Sequence, residues 1–138
     1  MIDPLDDLLG YQLRRASAVM MVDLSRTLEP LSLRATEASV ILAILANPGA
    51  TQSEIGRLLG IQRANMAPIV AMLMERALVE RSASDGRSHQ IHLSPGGTAM
   101  AAEVGAAIGQ HEARFLPSLD AHARQLLIKQ LRSIRVRR

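Results

Sequence analysis

The sequence predicts a mainly α chain with a small β wing, on three observations. Residues 51–77 carry two short amphipathic helical patterns separated by Gly60. Residues 78–93 carry two alternating apolar and polar runs around an Asp-Gly turn. Long apolar helical stripes occupy both ends of the chain. Helix, turn, helix and hairpin, in that order, are the parts of a winged helix-turn-helix, and the terminal stripes add helices outside it.

The first pattern covers residues 5–28, where Leu5, Leu8, Leu9, Leu13, Ala16, Met20, Leu24 and Leu28 recur every three or four residues. Glu29-Pro30 ends it, because the residue before a proline avoids the helical region. A second helix is expected from about Arg34 to Ala46, with Val40, Ile41, Ile44 and Leu45 on its apolar face; Asn47-Pro48-Gly49 breaks it. Thr51 and Glu54 are spaced as a capping box for the third helix, and Gly60 can close it in the left-handed conformation. Met66, Ile69, Val70, Leu73 and Ala77 outline the fourth. Residues 78–81 and 90–93 alternate as half-buried strands do, with Asp85-Gly86 supplying the turn chemistry between them. Ser94 and Pro95 suit the start of a fifth helix reaching Phe115, which is rich in Ala and Gly and open to close helix approach. Pro117 interrupts the chain. Asp120 caps a last helix bearing Leu126, Leu127, Leu131 and Ile134.

The division that follows is a DNA-reading unit over 34–94 and dimerisation helices over 1–30 and 95–138. The terminal stripes are more apolar than one small core can use, so a helical dimer interface is expected through Leu5, Leu9, Leu127, Leu131 and Ile134. Two-fold symmetry in the protein then predicts a pseudo-palindromic site in double-stranded DNA.

Composition removes several classes of function. At 138 residues with 48% apolar and 21% charged content, the chain can fold around a core of its own. It holds no run of about 18 apolar residues, so no membrane span is expected. The acidic start, Met-Ile-Asp-Pro-Leu-Asp-Asp, is unlike a signal peptide, which points to the cytoplasm. Cysteine is absent, and thiolate chemistry goes with it. Lys129 is the only lysine among 16 basic residues; the rest are Arg, which forms forked bonds to phosphate and guanine or else reflects codon usage. With Tyr11 and Phe115 the only aromatics, base stacking on a single strand is not expected. His89, His92, His111 and His122 lack a helical ligand spacing, so no metal is expected. Nothing resembles a nucleophile motif or a phosphate loop, so an enzyme is not expected and no cofactor is called for.

The chain resembles the MarR family (multiple antibiotic resistance regulators) of bacterial winged-helix repressors over nearly its whole length. Leu33-Arg-Ala-Thr-Glu-Ala-Ser-Val-Ile41 is similar to a family pattern often reading L-T-x-x-E-x-x-V-L. Ile61-Gln-Arg-Ala-Asn-Met66 falls where members often show L-x-R-S-T-V. Asp85-Gly86-Arg87, followed by His92-Leu93-Ser94-Pro-Gly-Gly97, matches the wing motif D-x-R and L-T-x-x-G. Two departures stand out. Ala64 and Asn65 replace a usual Ser-Thr, and Pro68 occupies a usual Arg position. If the recognition helix starts near Gln62, where the family's helix begins, Pro68 lies inside it and kinks it; if Asn65 is the N-cap, Pro68 lies in the first turn.

On this reading, Gln62, Arg63 and Asn65 are the candidates for base edges, with Met66 or Ala67 against a thymine methyl. Thr51, Gln52 and Ser53 suit a phosphate, which fixes register. Arg87 at the wing tip suits a minor groove, oriented by Asp85. The resemblance implies a small aromatic effector, such as a phenolic acid or its thioester, with Arg14 or Arg15 as candidate cations for a carboxylate. Asp3, Asp6 and Asp7 at one end, and Arg132, Arg135, Arg137 and Arg138 at the other, either complement their own helix dipoles or pair across a dimer. An alternative function is a winged helix used only for protein contact or dimerisation.

Overall fold

The computed structural model describes residues 1–82, 89–115, 117 and 119–135. Six helices surround a two-stranded antiparallel sheet: α1 Leu9–Leu28, α2 Ala35–Ala46, α3 Gln52–Leu59, α4 Arg63–Glu75, β1 Val79–Ser82, β2 Gln90–Leu93, α5 Pro95–Phe115 and α6 Ala121–Arg135. A 3₁₀ turn, Glu29–Leu31, joins α1 to α2. No described helix is long and apolar enough to cross a membrane.

Local chemistry fixes most of the boundaries. The Thr51 hydroxyl accepts the Glu54 backbone N–H at 3.3 Å, and the Glu54 carboxylate accepts the Thr51 N–H at 2.8 Å, which starts α3. Gly60, at φ 67°, closes it. Glu37 caps α2 by accepting the Arg34 N–H at 2.7 Å, and Asp120 caps α6 by accepting the Ala123 N–H at 2.7 Å. α1 departs from expectation: it begins at Leu9, and no acid lies in its first turn. Asp3 instead accepts the Leu5 N–H at 3.0 Å and the Tyr11 hydroxyl at 2.8 Å, so the preceding residues fold into turns held by side chains. Asp6 and Asp7 stand just before the N-cap Leu8, outside the first turn. Arg132 and Arg135 do lie in the last turn of α6; Arg137 and Arg138 fall outside the described residues.

The core belongs to the helix-turn-helix. Val40, Ile41, Ile44, Ile55, Met66, Val70, Leu73 and Ile91 are buried together, with Leu28 from the end of α1 and Val104 from α5. The wing pairs Val79 with Leu93 and Arg81 with Ile91. Its root is tied back to the loop before α3, where the Ile91 N–H donates to the Ala50 carbonyl at 3.0 Å and Thr51 bridges Gln90. The terminal helices are different. α6 buries no residue at all, and Leu5, Leu9, Leu127 and Ile134 are exposed.

α1 and α5 are joined by a polar cluster that spacing along the chain does not announce. Asp23 lies 2.7 Å from His111 Nδ1, and its carboxylate accepts bonds from Arg114, the shorter at 2.7 Å. Arg114 also donates to the Thr27 hydroxyl. His111 is buried and stacks at a tilt on Phe115, centroids 5.2 Å apart. It is thus a structural histidine. The hydrogen bonds from Arg114, and then from His111, hold the Asp23 carboxyl below its ordinary value of 3.8. A carboxyl lowered on folding stabilises the fold above its unfolded pKa, and that contribution is lost as pH falls through the folded value. Asp23→Asn should therefore lower the thermal midpoint at neutral pH, and the gap to wild type should narrow once pH drops below 3.8. A gap unchanged between pH 7 and pH 3 (approximate endpoints) in thermal melts would mean that the charge contributes nothing.

Candidate nucleic-acid interface

The approach of α3 and α4 depends on Gly56. A Cβ built there would stand 3.0 Å from the Met66 side chain and 3.2 Å from the Ile61 carbonyl. With no side chain at Gly56, Met66 seats beneath α3, only 1% exposed. Met66 is therefore a core residue and cannot meet a thymine methyl; it shares the helical phase of buried Val70 and Leu73. Ala67, one residue on, is exposed.

With Met66 inward, the opposite face of α4 is open. Gln62 is the N-cap in an extended conformation, Arg63 is the first helical residue, and Gln62, Arg63 and Asn65 are all exposed at this end. These three base-reading candidates are thus brought together. Pro68 lies inside a continuous helix, so the reading with Asn65 as N-cap is set aside. The proline cannot donate to the carbonyl of Ala64, which loses its usual helical partner.

The phosphate candidates separate. The Thr51 hydroxyl donates to Glu54 at 2.8 Å and accepts from the Glu54 backbone, so it is committed to the capping box. That box, with the Thr51 backbone N–H first and its hydroxyl second, lowers the Glu54 carboxyl from its ordinary value of 4.5. Ser53 is exposed, and Gln52 is half-buried with its side-chain oxygen accepting from Arg81 at 3.2 Å. A small cleft of about 190 Å³ between α3 and α4 is rimmed by Gln52, Ser53, Arg57 and Arg63. Arg57 and Arg81 were not candidates on sequence. Among the described residues neither has a carboxylate within ion-pair distance. Arg81 had a signal: it occupies the face of β1 shared with buried Ile91, where alternation calls for an apolar residue. Asp85 and Arg87 lie outside the described residues.

The effector candidates have partners within their own chain. Arg15 lies 3.6 Å from the Asp3 carboxylate and donates to the Tyr11 hydroxyl at 3.3 Å. That pairing is among the causes that lower the Asp3 carboxyl, behind the Leu5 N–H and the Tyr11 hydroxyl. Arg14 stacks over the Tyr11 ring, 5.3 Å from its centroid. Neither lines the two cavities described next. An open groove of about 1190 Å³ lies instead between α1, α2 and α4, where Arg26, Arg34 and Arg76 contribute cations and Met21 and Met72 apolar surface. Arg76 is bound to the Ser32 and Leu31 carbonyls at 2.8 and 3.0 Å, which ties the end of α4 to the turn after α1. Arg26 also borders a second cavity of about 440 Å³ with Val19, Val22, Asp23 and Phe115.

A recognition helix with an exposed polar start, a two-stranded sheet after it and, among the described residues, Arg57 and Arg81 without a carboxylate partner are the features of a winged-helix DNA-binding protein. Comparison with known proteins gives the family. Residues 31–88 match the sequence pattern of the MarR family. The chain is 31% identical over 115 residues to the HTH-type transcriptional repressor Rv2887 of Mycobacterium tuberculosis, covering 82% of this chain and 83% of the relative. The transcriptional repressor CouR bound to a 23-mer DNA duplex superposes with a TM-score of 0.89 at 34% identity, over 97% of this chain and 96% of that one. A CouR structure bound to p-coumaroyl-CoA gives a TM-score of 0.86 at 32% identity, over 100% and 99%. The chain belongs to the MarR family and is a DNA-binding transcriptional regulator.

Proposed function

We propose that the protein is a cytoplasmic repressor that binds a pseudo-palindromic operator as a homodimer and leaves it when an aromatic effector binds. Residues 34–94 read DNA, and residues 1–30 and 95–138 hold two protomers together. The observation that carries this is the open face at the start of α4, where Gln62, Arg63 and Asn65 stand exposed and Arg63 shares the rim of a cleft with Arg57. Arg63 pairs with a guanine, Asn65 or Gln62 with an adenine, and Ser53 with Gln52 fixes a phosphate. Arg87, oriented by Asp85, reaches the minor groove. Two recognition helices related by a two-fold axis meet half-sites about 10 bp apart.

The effector is an aromatic acid or its thioester, a reading supported by the relative bound to p-coumaroyl-CoA. Arg26, at the border of both cavities, is a further cation offered to it besides Arg14 and Arg15. The protein carries out no reaction on this ligand.

Salt titration of duplex binding tests the DNA half of the proposal. Affinity should fall steeply with salt, because each neutralised phosphate releases a counterion. Salt-independent or absent binding to any duplex would favour the protein-contact module instead. Thermal shift against aromatic acids and their coenzyme A thioesters tests the other half. A ligand at 100 times its dissociation constant adds about 2.7 kcal/mol. No shift from any of them, with DNA binding intact, removes the effector.

A further inference from the structure

The exposed face of the recognition helix is apolar along its centre. Ala64, adjacent Ala67 and Pro68, and Ala71 are set three or four residues apart from one pair to the next, and all four are exposed. They form one stripe on α4, opposite the buried Met66, Val70 and Leu73. Arg63 and Asn65 flank the stripe at its start. Beyond that start, the next charged side chain on the helix is Glu75, its last residue. A solvent-facing stripe in an ordinary surface helix carries polar residues, and here the stripe is continuous with the base-reading end of an element that enters the major groove.

Hydrogen bonding is scarce on this surface. Neither alanine nor proline offers a side-chain donor or acceptor. The major-groove feature such a surface recognises is the C5 methyl of thymine, since apolar side chains contact it directly and no other base presents it. We propose that the Ala64, Ala67, Pro68 and Ala71 stripe is a specificity determinant that selects thymine methyls in each half-site, beside the base pair read by Arg63. Small residues suit this role because the methyls must come close to the helix backbone. Pro68 serves it by adding its ring surface to the stripe.

This inference rests on the reading that α4 enters the DNA, and the experiment separates the two. An operator duplex is first selected from random sequence by the wild-type protein. Each thymine in it is then replaced in turn by deoxyuridine, which keeps every hydrogen-bonding group and loses only the methyl. At one or two positions per half-site the wild type should bind the uracil duplex about fourfold more weakly, the fold-change for burying one methyl group. The double variant Ala64→Ser, Ala67→Ser should bind thymine and uracil duplexes nearly equally at those positions, with its thermal midpoint close to wild type. A helix role confined to folding would move the midpoint and leave the thymine-to-uracil ratio alone. Equal wild-type affinity for thymine and uracil at every position overturns the proposal while DNA binding stands. A thymine preference that persists unchanged in the double variant also overturns it, because the methyls are then read elsewhere. Failure of the wild type to select any duplex overturns both readings.

Discussion

Replacing Gly97 by Ala should cost about 3 kcal/mol or more of folding stability, the upper end of what overpacking a tight contact costs. A Cβ at this position would stand 1.9 Å from the Leu78 carbonyl oxygen and 2.9 Å from its carbon, both backbone atoms that no side-chain rotation can move. The surroundings are fixed from several sides. The Ser94 hydroxyl donates to the Ala77 carbonyl at 2.6 Å and accepts the Gly97 N–H at 2.9 Å. The Leu78 carbonyl accepts the Ser94 N–H at 3.1 Å. The first turn of α5 is therefore pressed against the link between recognition helix and wing, and an added methyl must part them. Urea denaturation should show the midpoint falling sharply, with DNA affinity falling beside it. Gly105 is the control: a Cβ there meets nothing within 4 Å in its own chain, and alanine is the better helix former by about 1 kcal/mol. Stabilisation by Gly105→Ala alongside destabilisation by Gly97→Ala is the expected pair. A Gly97→Ala protein as stable as wild type would mean that α5 does not sit against Leu78.

The largest functional effect is expected at α6. This helix of 15 residues buries none of them in its own chain, and Leu127 and Ile134 remain 44% and 50% exposed. An isolated helix of that length is marginal in water, since tertiary packing supplies most of the stability of protein helices. A second protomer is the partner we propose. Leu127→Asp with Leu131→Asp places two charges on the stripe. Sedimentation at micromolar concentration should then show monomers. Operator affinity should fall by about 10²–10⁴, because the second half-site is no longer held at high effective concentration. The core of the DNA-reading unit does not involve α6, so circular dichroism should retain most of the helix signal. A double variant that remains dimeric would place the interface elsewhere and return α6 to its own chain. Charge reversal of Asp6 and Asp7 should have a far smaller effect, since exposed ion pairs contribute at most about 1 kcal/mol each.

The order of elements was legible in the residues because it rests on short-range chemistry. Thr51 with Glu54, Gly60 and Asp120 each act within about one helical turn, and the capping bonds they suggest are present. The start of α4 was legible only in part: the polar residues 62–65 marked it, while the choice between Gln62 and Asn65 as N-cap was made by the structure. Burial was legible only where the helical phase was followed strictly. Met66 sat in the apolar phase with Val70 and Leu73, and assigning it to DNA ignored that periodicity.

Long-range contacts decided the rest. The approach of Asp23 to His111 and Arg114 spans 88 and 91 residues, and no spacing rule reaches across such a gap. Gly97, in the sequence only part of the motif after the wing, proved to be a steric requirement, because the fold brings the Leu78 backbone against it. Arg15 was a candidate effector cation in the sequence and is a partner of Asp3 in the fold, since the chain before α1 turns back on the helix instead of extending it. The sequence alone determined which helices and strands form, because capping, turn and periodicity signals are local. Only the tertiary structure decided which side chains are left over to meet DNA, ligand or a second protomer, because that depends on which partners the rest of the chain has already taken.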